Sequence, residues 1–384
     1  MSTLYEFQIP TKIIYGIGCA SKIGDIAADT GKKSFQLITD KGVMGAGIID
    51  CLKTTLEKAN IKIIPFDEVE ANPTVQTVDK AFAQYLDHNC QGVIAVGGGS
   101  PMDTGKSVAI LATNPGSAVD YIGVDKVKNP SAPLICIPTT AGTAAEITCV
   151  AILSDPVNKI KKGIRSPHVA PDIALLDPLL TLSLPPAPTR ESGLDALSHA
   201  IESYISVDAW NASDALTLKA IELIGRYLRN AVHIGSDIVA RDGMLQASLL
   251  AGMGFLNTRL CLVHAITGPL GGIYNLSHGV SNAIVLPHAM RFMLPGSLSK
   301  YVNIANALGE NVEGMSERRA AEKAIQAVEQ LSEDVGLPKG LSIYGVIEEE
   351  LPTIAETISQ SFMIDLSPRK AAASDILEIC KAAL

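Results

Sequence analysis

The chain has 384 residues, 47% hydrophobic and only 18% charged, which excludes a disordered polymer and leaves room for two domains. A net charge of −9 with no long Lys/Arg run disfavours a nucleic-acid partner, and no apolar run is long enough to span a bilayer. Seven cysteines without a Cys-x-x-Cys pair read as free thiols, and residues 1–10 do not read as a secretory signal, so a cytoplasmic protein is the expectation.

The pattern opens with two short extended stretches, 7–9 and 12–15, which could pair as a hairpin across Pro10. Apolar strands follow at 35–39, 61–65, 92–96, 134–137 and 173–176, with helical patterns at about 43–59, 75–88 and 102–112 between them. Strand and helix in alternation mean parallel pairing with right-handed crossovers, and continuous apolar strands mean a sheet covered on both faces. After Pro185-Pro186-Ala187-Pro188 the texture becomes helical, with patterns near 191–205, 214–229, 236–256, 259–267, 297–308, 316–335 and 369–383. The expected division is an α/β nucleotide-binding domain over 1–184 and an all-α domain over 185–384.

The strongest local signal is Val93-Ile94-Ala95-Val96-Gly97-Gly98-Gly99-Ser100-Pro101-Met102-Asp103, an apolar strand running through three glycines into a helix. Glycines let a pyrophosphate approach the backbone, and the helix N-terminus favours the anion. Ser100 is the expected cap of that helix, with Asp103 at capping-box spacing. Asp40 directly follows strand 35–39, where a carboxylate can accept from an adenosine ribose and repel a 2′-phosphate, favouring NAD over NADP; an Asx turn is the plainer reading. Thr139, Thr140 and Thr143 follow strand 134–137 as further donors at the same end of the sheet.

In the helical half, Asp195 and His199 are four apart and so share a helix face. They read as two metal ligands or as a hydrogen-bonded pair. His264 lies in an apolar segment, and His278 follows fourteen residues on, after Gly268-Pro269 and Gly271-Gly272 interrupt the helix. Three histidines and one aspartate make a mixed nitrogen and oxygen donor set suited to Fe²⁺ or Zn²⁺. His288, after Pro287, reads as a structural residue at a helix start.

These motifs, Gly97-Gly98-Gly99-Ser100 with Asp103, Pro138-Thr139-Thr140 with Gly142-Thr143, Gly193-Leu194-Asp195-Ala196 with His199-Ala200, Val263-His264-Ala265, and His278-Gly279 with Leu286-Pro287-His288, run over essentially the whole chain. With them the sequence resembles the iron-containing alcohol dehydrogenase family, of the lactaldehyde reductase and 1,3-propanediol dehydrogenase type. The resemblance implies an N-terminal α/β nucleotide domain and an all-helical C-terminal domain, the architecture shared with dehydroquinate synthase. It implies a metal, Fe²⁺ or another divalent ion, held by Asp195, His199, His264 and His278 as the catalytic centre. It implies NAD contacts at Asp40, Asn72, Gly97, Gly98, Gly99, Ser100, Asp103, Thr139, Thr140, Thr143 and Lys161, and a homodimer or larger oligomer. The implied activity is hydride transfer between NAD(H) and a small primary alcohol or aldehyde. A lyase of the dehydroquinate synthase type and zinc-dependent polyol oxidation are the alternatives. Many family members carry a second histidine four residues after the one matching His264; here that position is Gly268. Val150 is apolar where diol-active relatives place an asparagine, which weighs against a vicinal diol.

Overall fold

The structure, a computed structural model, describes residues 4–155, 158 and 160–384. Two compact units form, one of residues 9–140 and 144–184, the other of residues 4–8, 141–143 and 185–384. The short segment 141–143 thus groups with the helices, although it is embedded in sequence with the strands.

The first unit is built on a six-stranded parallel sheet. Its strands are β1 (Lys12–Tyr15), β2 (Ser34–Ile38), β3 (Lys62–Phe66), β4 (Gly92–Gly97), β6 (Leu134–Pro138) and β9 (Ile173–Leu176), in the order β1-β9-β6-β4-β2-β3. Helices α1 (Ile23–Asp29), α2 (Lys41–Gly45), α3 (Ile48–Lys58), α4 (Val75–Asp87) and α5 (Gly99–Leu111) cover it. Alternation along β4 feeds two cores: Val93 and Ala95 pack with α4 and α5, while Ile94 and Val96 pack with α1 and α3. The chain therefore leaves neighbouring strands β2 and β4 toward opposite faces of the sheet. Such a reversal opens a crevice at the C-terminal strand ends. A second sheet holds β5 (Gly123–Val124), β7 (Val150–Asp155) and β8 (Ile160–Arg165), with β7 and β8 antiparallel.

The second unit is all-helical: α6 (Pro186–Ile205), α7 (Asn211–His233), α8 (Ile238–Thr258), α9 (Leu262–Ile273), α10 (His278–Met293), α11 (Leu298–Ala307), α12 (Glu317–Asp334), α13 (Leu351–Ser359) and α14 (Ala373–Ala382). Helix α6 packs against α7, α8 and α10, and every residue from Gly193 to Ile205 is buried. Among the described residues no single helix is long and apolar enough to cross a membrane.

Several expectations change. Residues 7–9 form no strand; β1 pairs in parallel with β9, so the N-terminal hairpin is replaced by a sheet edge. The helix expected over 43–59 is two helices, broken at Gly47 with φ 73°. Ser100 does not cap α5: Gly98 is the N-cap, and Ser100 is already inside the helix. Helix α6 begins at Pro186, since proline suits the first turn, where its missing N–H has no partner to lose. Helix α9 runs on through Gly268-Pro269 to Ile273. Proline there forfeits one bond to the preceding turn, and Gly268, lacking Cβ, escapes the clash that a residue before proline suffers in a helix. His288 lies inside α10, not at its start.

Candidate functional site

The crevice at the C-terminal ends of β2, β4 and β6 gathers most of the residues expected to hold a nucleotide. Gly97 has φ 146°, and a Cβ there would lie 2.6 Å from Pro101 Cγ, so the turn requires glycine. The same Cβ position is 3.4 Å from Asp40 Oδ2, and that of Gly98 is 3.4 Å from Thr140 Oγ1. The Thr139 N–H donates to the Gly97 carbonyl at 2.9 Å, tying the threonine loop to the glycine turn. Gly98, the N-cap of α5, has no side chain to cap it, which suits the first N–H groups of the helix to an anion. Asp40 serves two ends: its Oδ1 accepts from Val43 N at 2.9 Å as the N-cap of α2, while Oδ2 faces the glycine turn.

Asn72 lies between β3 and α4 with φ 57°. Asp103 sits one turn into α5, where burial raises its carboxyl to about 6 against the pull of Lys106 and the Ile152 N–H. Lys161 lies on β8, paired in register with Ser154. Thr143 falls in the segment that groups with the helical unit.

In the helical unit, Asp195 and His199 from α6, His264 from α9 and His278 from α10 come together. One donor atom from each lies within 4.8 Å of all the others. The first three are buried and the His278 side chain is 40% exposed, so the cluster is open on one side. The His199 and His264 ring centroids are 4.8 Å apart, and Phe255 lies 4.7 Å from His199 as an apolar wall.

Neighbouring groups set the proton on each ring. His199 Nδ1 faces the Gly142 carbonyl at 3.2 Å, which accepts its proton and leaves Nε2 as a lone pair. His264 Nδ1 bonds Glu202 Oε2, again leaving Nε2 for the centre. Burial holds His199 below its ordinary value and His264 down at about 4, so both rings are neutral at neutral pH. Burial pushes the Asp195 carboxyl up, but His199, His278, His264 and the Asn282 amide outweigh it and leave it below its ordinary value. Burial pushes the Glu202 carboxyl up, opposed by the N–H groups of Val263 and His264, which bond its ionised form.

Sequence reasoning missed Glu202, Asn282 and Thr267. Asn282 Nδ2 is 2.7 Å from Asp195 Oδ1, 3.0 Å from His264 Nε2 and 3.1 Å from His278 Nε2, while its Oδ1 accepts from Thr267 Oγ1. The available signal was helical spacing: Glu202 is seven residues after Asp195 and three after His199, and Asn282 is four after His278.

Residues 10–178 match the family model "iron-containing alcohol dehydrogenase" and residues 189–384 match "Fe-containing alcohol dehydrogenase family, C-terminal". The chain is 40% identical over 382 residues to 1,3-propanediol dehydrogenase of Citrobacter freundii, covering 99% of each. It is 35% identical over 379 residues to NAD-dependent methanol dehydrogenase of Bacillus methanolicus, covering 99% of this chain and 100% of that one. A crystal structure of 1,3-propanediol oxidoreductase superposes with a TM-score of 0.96 at 40% identity, covering 100% of both chains. The chain belongs to the iron-containing alcohol dehydrogenase family, as its motifs implied, and none of these relatives is a lyase.

The cluster fits the metal that the family name implies. Asp195 Oδ1, His264 Nε2 and His278 Nε2 all converge on the Asn282 amide, whose two protons cannot serve three acceptors. Converging lone pairs of one carboxylate and neutral imidazoles are what a borderline divalent cation satisfies.

Proposed function

We propose that this protein catalyses reversible hydride transfer between NAD(H) and a small primary alcohol or its aldehyde. The observation that carries the reading is the convergence of Asp195, His199, His264 and His278 on one site, with the His199 and His264 ring protons turned away from the centre. These four residues are proposed to hold Fe²⁺, or another divalent ion in its place. Residues 1–184 are assigned to the nucleotide and 185–384 to metal and substrate. A bound divalent metal supplies Lewis acidity toward an alcohol or aldehyde oxygen, and the nicotinamide supplies the redox chemistry.

The chain's own residues supply placement. Asp40, Gly97, Gly98, Gly99, Ser100, Thr139 and Thr140 are proposed to seat NAD in the crevice, with Asn72, Asp103, Thr143 and Lys161 as further contacts. Asp40 gives the preference for NAD over NADP. Phe255 and the open side at His278 favour a short apolar substituent on the carbinol carbon. At Gly268 a Cβ would meet nothing within 4 Å, so this position of α9 carries no side chain to crowd a substrate. A cytoplasmic homodimer or larger oligomer completes the proposal. The test is NADH formation from a panel of short primary alcohols, diols and polyols. Turnover of primary alcohols with NAD supports the reading; turnover of none overturns it.

A further inference from the structure

We infer that Glu202 is a positioning residue for the metal centre, fixing the His264 tautomer so that Nε2 is free to ligate. The inference rests on the metal-centre reading above.

Glu202 is 0% exposed. It sits on the same face of α6 as Asp195 and His199, one to two turns further on, and faces the start of α9. Helix α9 has no side-chain cap of its own, because Cys261 at its N-cap position makes none. Glu202 fills that role from another helix: Oε1 accepts from Val263 N at 2.6 Å and Oε2 from His264 N at 3.4 Å. The carboxylate also faces the positive end of α9. Oε2 then bonds His264 Nδ1.

The other side of the ring decides where the proton must be. His264 Nε2 lies 3.0 Å from Asn282 Nδ2, a nitrogen that can only donate, since Asn282 Oδ1 is taken by Thr267 Oγ1. Nε2 must therefore accept, and the ring proton lies on the line between Nδ1 and Glu202. A ring with its proton on Nε2 has no lone pair for a metal. Carboxylates that hold a ligand histidine in this way tune both its orientation and its basicity.

An amide cannot replace this carboxylate. Val263 N–H and His264 Nδ1–H both donate, so Glu202 must accept at both oxygens. Glu202→Gln keeps one oxygen for the helix N–H groups and turns its NH₂ toward Nδ1, which draws the ring proton over to Nε2. Helix capping survives in this variant while the tautomer does not, which separates a positioning role from a purely structural one.

The test uses the full-length protein stripped of metal and titrated with Zn²⁺ against a chelating indicator. NAD affinity and thermal stability are followed alongside. Glu202→Gln should weaken zinc binding about 10- to 100-fold with NAD affinity unchanged. In parallel, ¹⁵N spectra of histidine-labelled parent protein should show His264 protonated at Nδ1; this does not depend on the variant folding. Zinc affinity equal to the parent's, or a parent His264 protonated at Nε2, overturns the role of Glu202 alone. A parent protein that binds no zinc or iron overturns the metal-centre reading and this inference with it.

Discussion

His199 Nδ1 donates to the carbonyl of Gly142, 3.2 Å away and 57 residues earlier in the chain. The bond ties segment 141–143 to α6, and it gives the Thr-Thr-Ala-Gly-Thr loop a second task. Thr139 and Thr140 lie beside the glycine turn, while two residues later a backbone carbonyl orients a metal-ligand candidate.

Gly142 tolerates no side chain. A Cβ would lie 2.6 Å from the Ser192 carbonyl oxygen and 2.8 Å from Ser192 Cα, on backbone that cannot swing aside. Gly142→Ala should destabilise the protein by about 1–3 kcal/mol and displace the carbonyl from His199. Thermal melting and metal analysis of the purified variant check this, with lower values expected in both.

His264→Ala and His278→Ala each remove one donor from the cluster. Turnover and bound metal should fall to background in both variants. NAD affinity, measured by nucleotide fluorescence titration, should stay at the parent's value, because neither residue belongs to the glycine-turn crevice. Full activity with unchanged metal content would contradict the ligand assignment.

Asp40 combines a helix cap with the proposed ribose contact, so the choice of replacement matters. Asp40→Ser keeps an acceptor for Val43 N–H, whereas Asp40→Gly loses that cap at a cost of a few tenths of a kcal/mol. Both remove the charge that repels a 2′-phosphate. The ratio of kcat/KM for NADP over NAD should rise in both, with Ser the more stable variant. An unchanged ratio would reduce Asp40 to a cap.

Glu146 introduces a pH dependence of stability. It is buried in the α/β unit, and among the described residues its Oε1 has no hydrogen-bond partner. Burial raises its carboxyl from 4.5 to about 7, opposed by its own N–H and by Lys106. The folded protein thus keeps a proton that the unfolded chain gives up in this window. The stabilisation is full below pH 4.5 and is lost as pH rises through about 7, amounting to about 3 kcal/mol. Glu146→Gln should abolish this part of the slope. Melting temperatures of parent and variant across pH 4.5–8 check it: the parent should lose ground to the variant as pH rises, then run parallel.

Strands β2, β4, β6 and β9 were legible because each is a short apolar run ending in turn residues, and parallel sheets bury both faces of such runs. The β7–β8 hairpin was not, because Asp155, Lys161 and Lys162 break its apolar alternation. Helix α10 was hidden by Gly279 and Pro287, which read as breakers in sequence but are absorbed by burial in the packed helical unit. At the site, imidazoles and Asp195 stand out by residue type. Glu202 and Asn282 do not: a glutamate late in a helix reads as solvated surface, and only the approach of α9 and α10 to α6 reveals what each one bonds.

The Asp195, His199, His264 and His278 cluster is proposed to work as a metal centre for alcohol oxidation. Its most direct test is NADH formation from a short primary alcohol by enzyme stripped with a chelator, then reloaded anaerobically with Fe²⁺. Stripped enzyme should bind NAD but make no NADH, and activity should return in proportion to metal up to one ion per chain. Full turnover by enzyme shown by metal analysis to be free of divalent ions would contradict it.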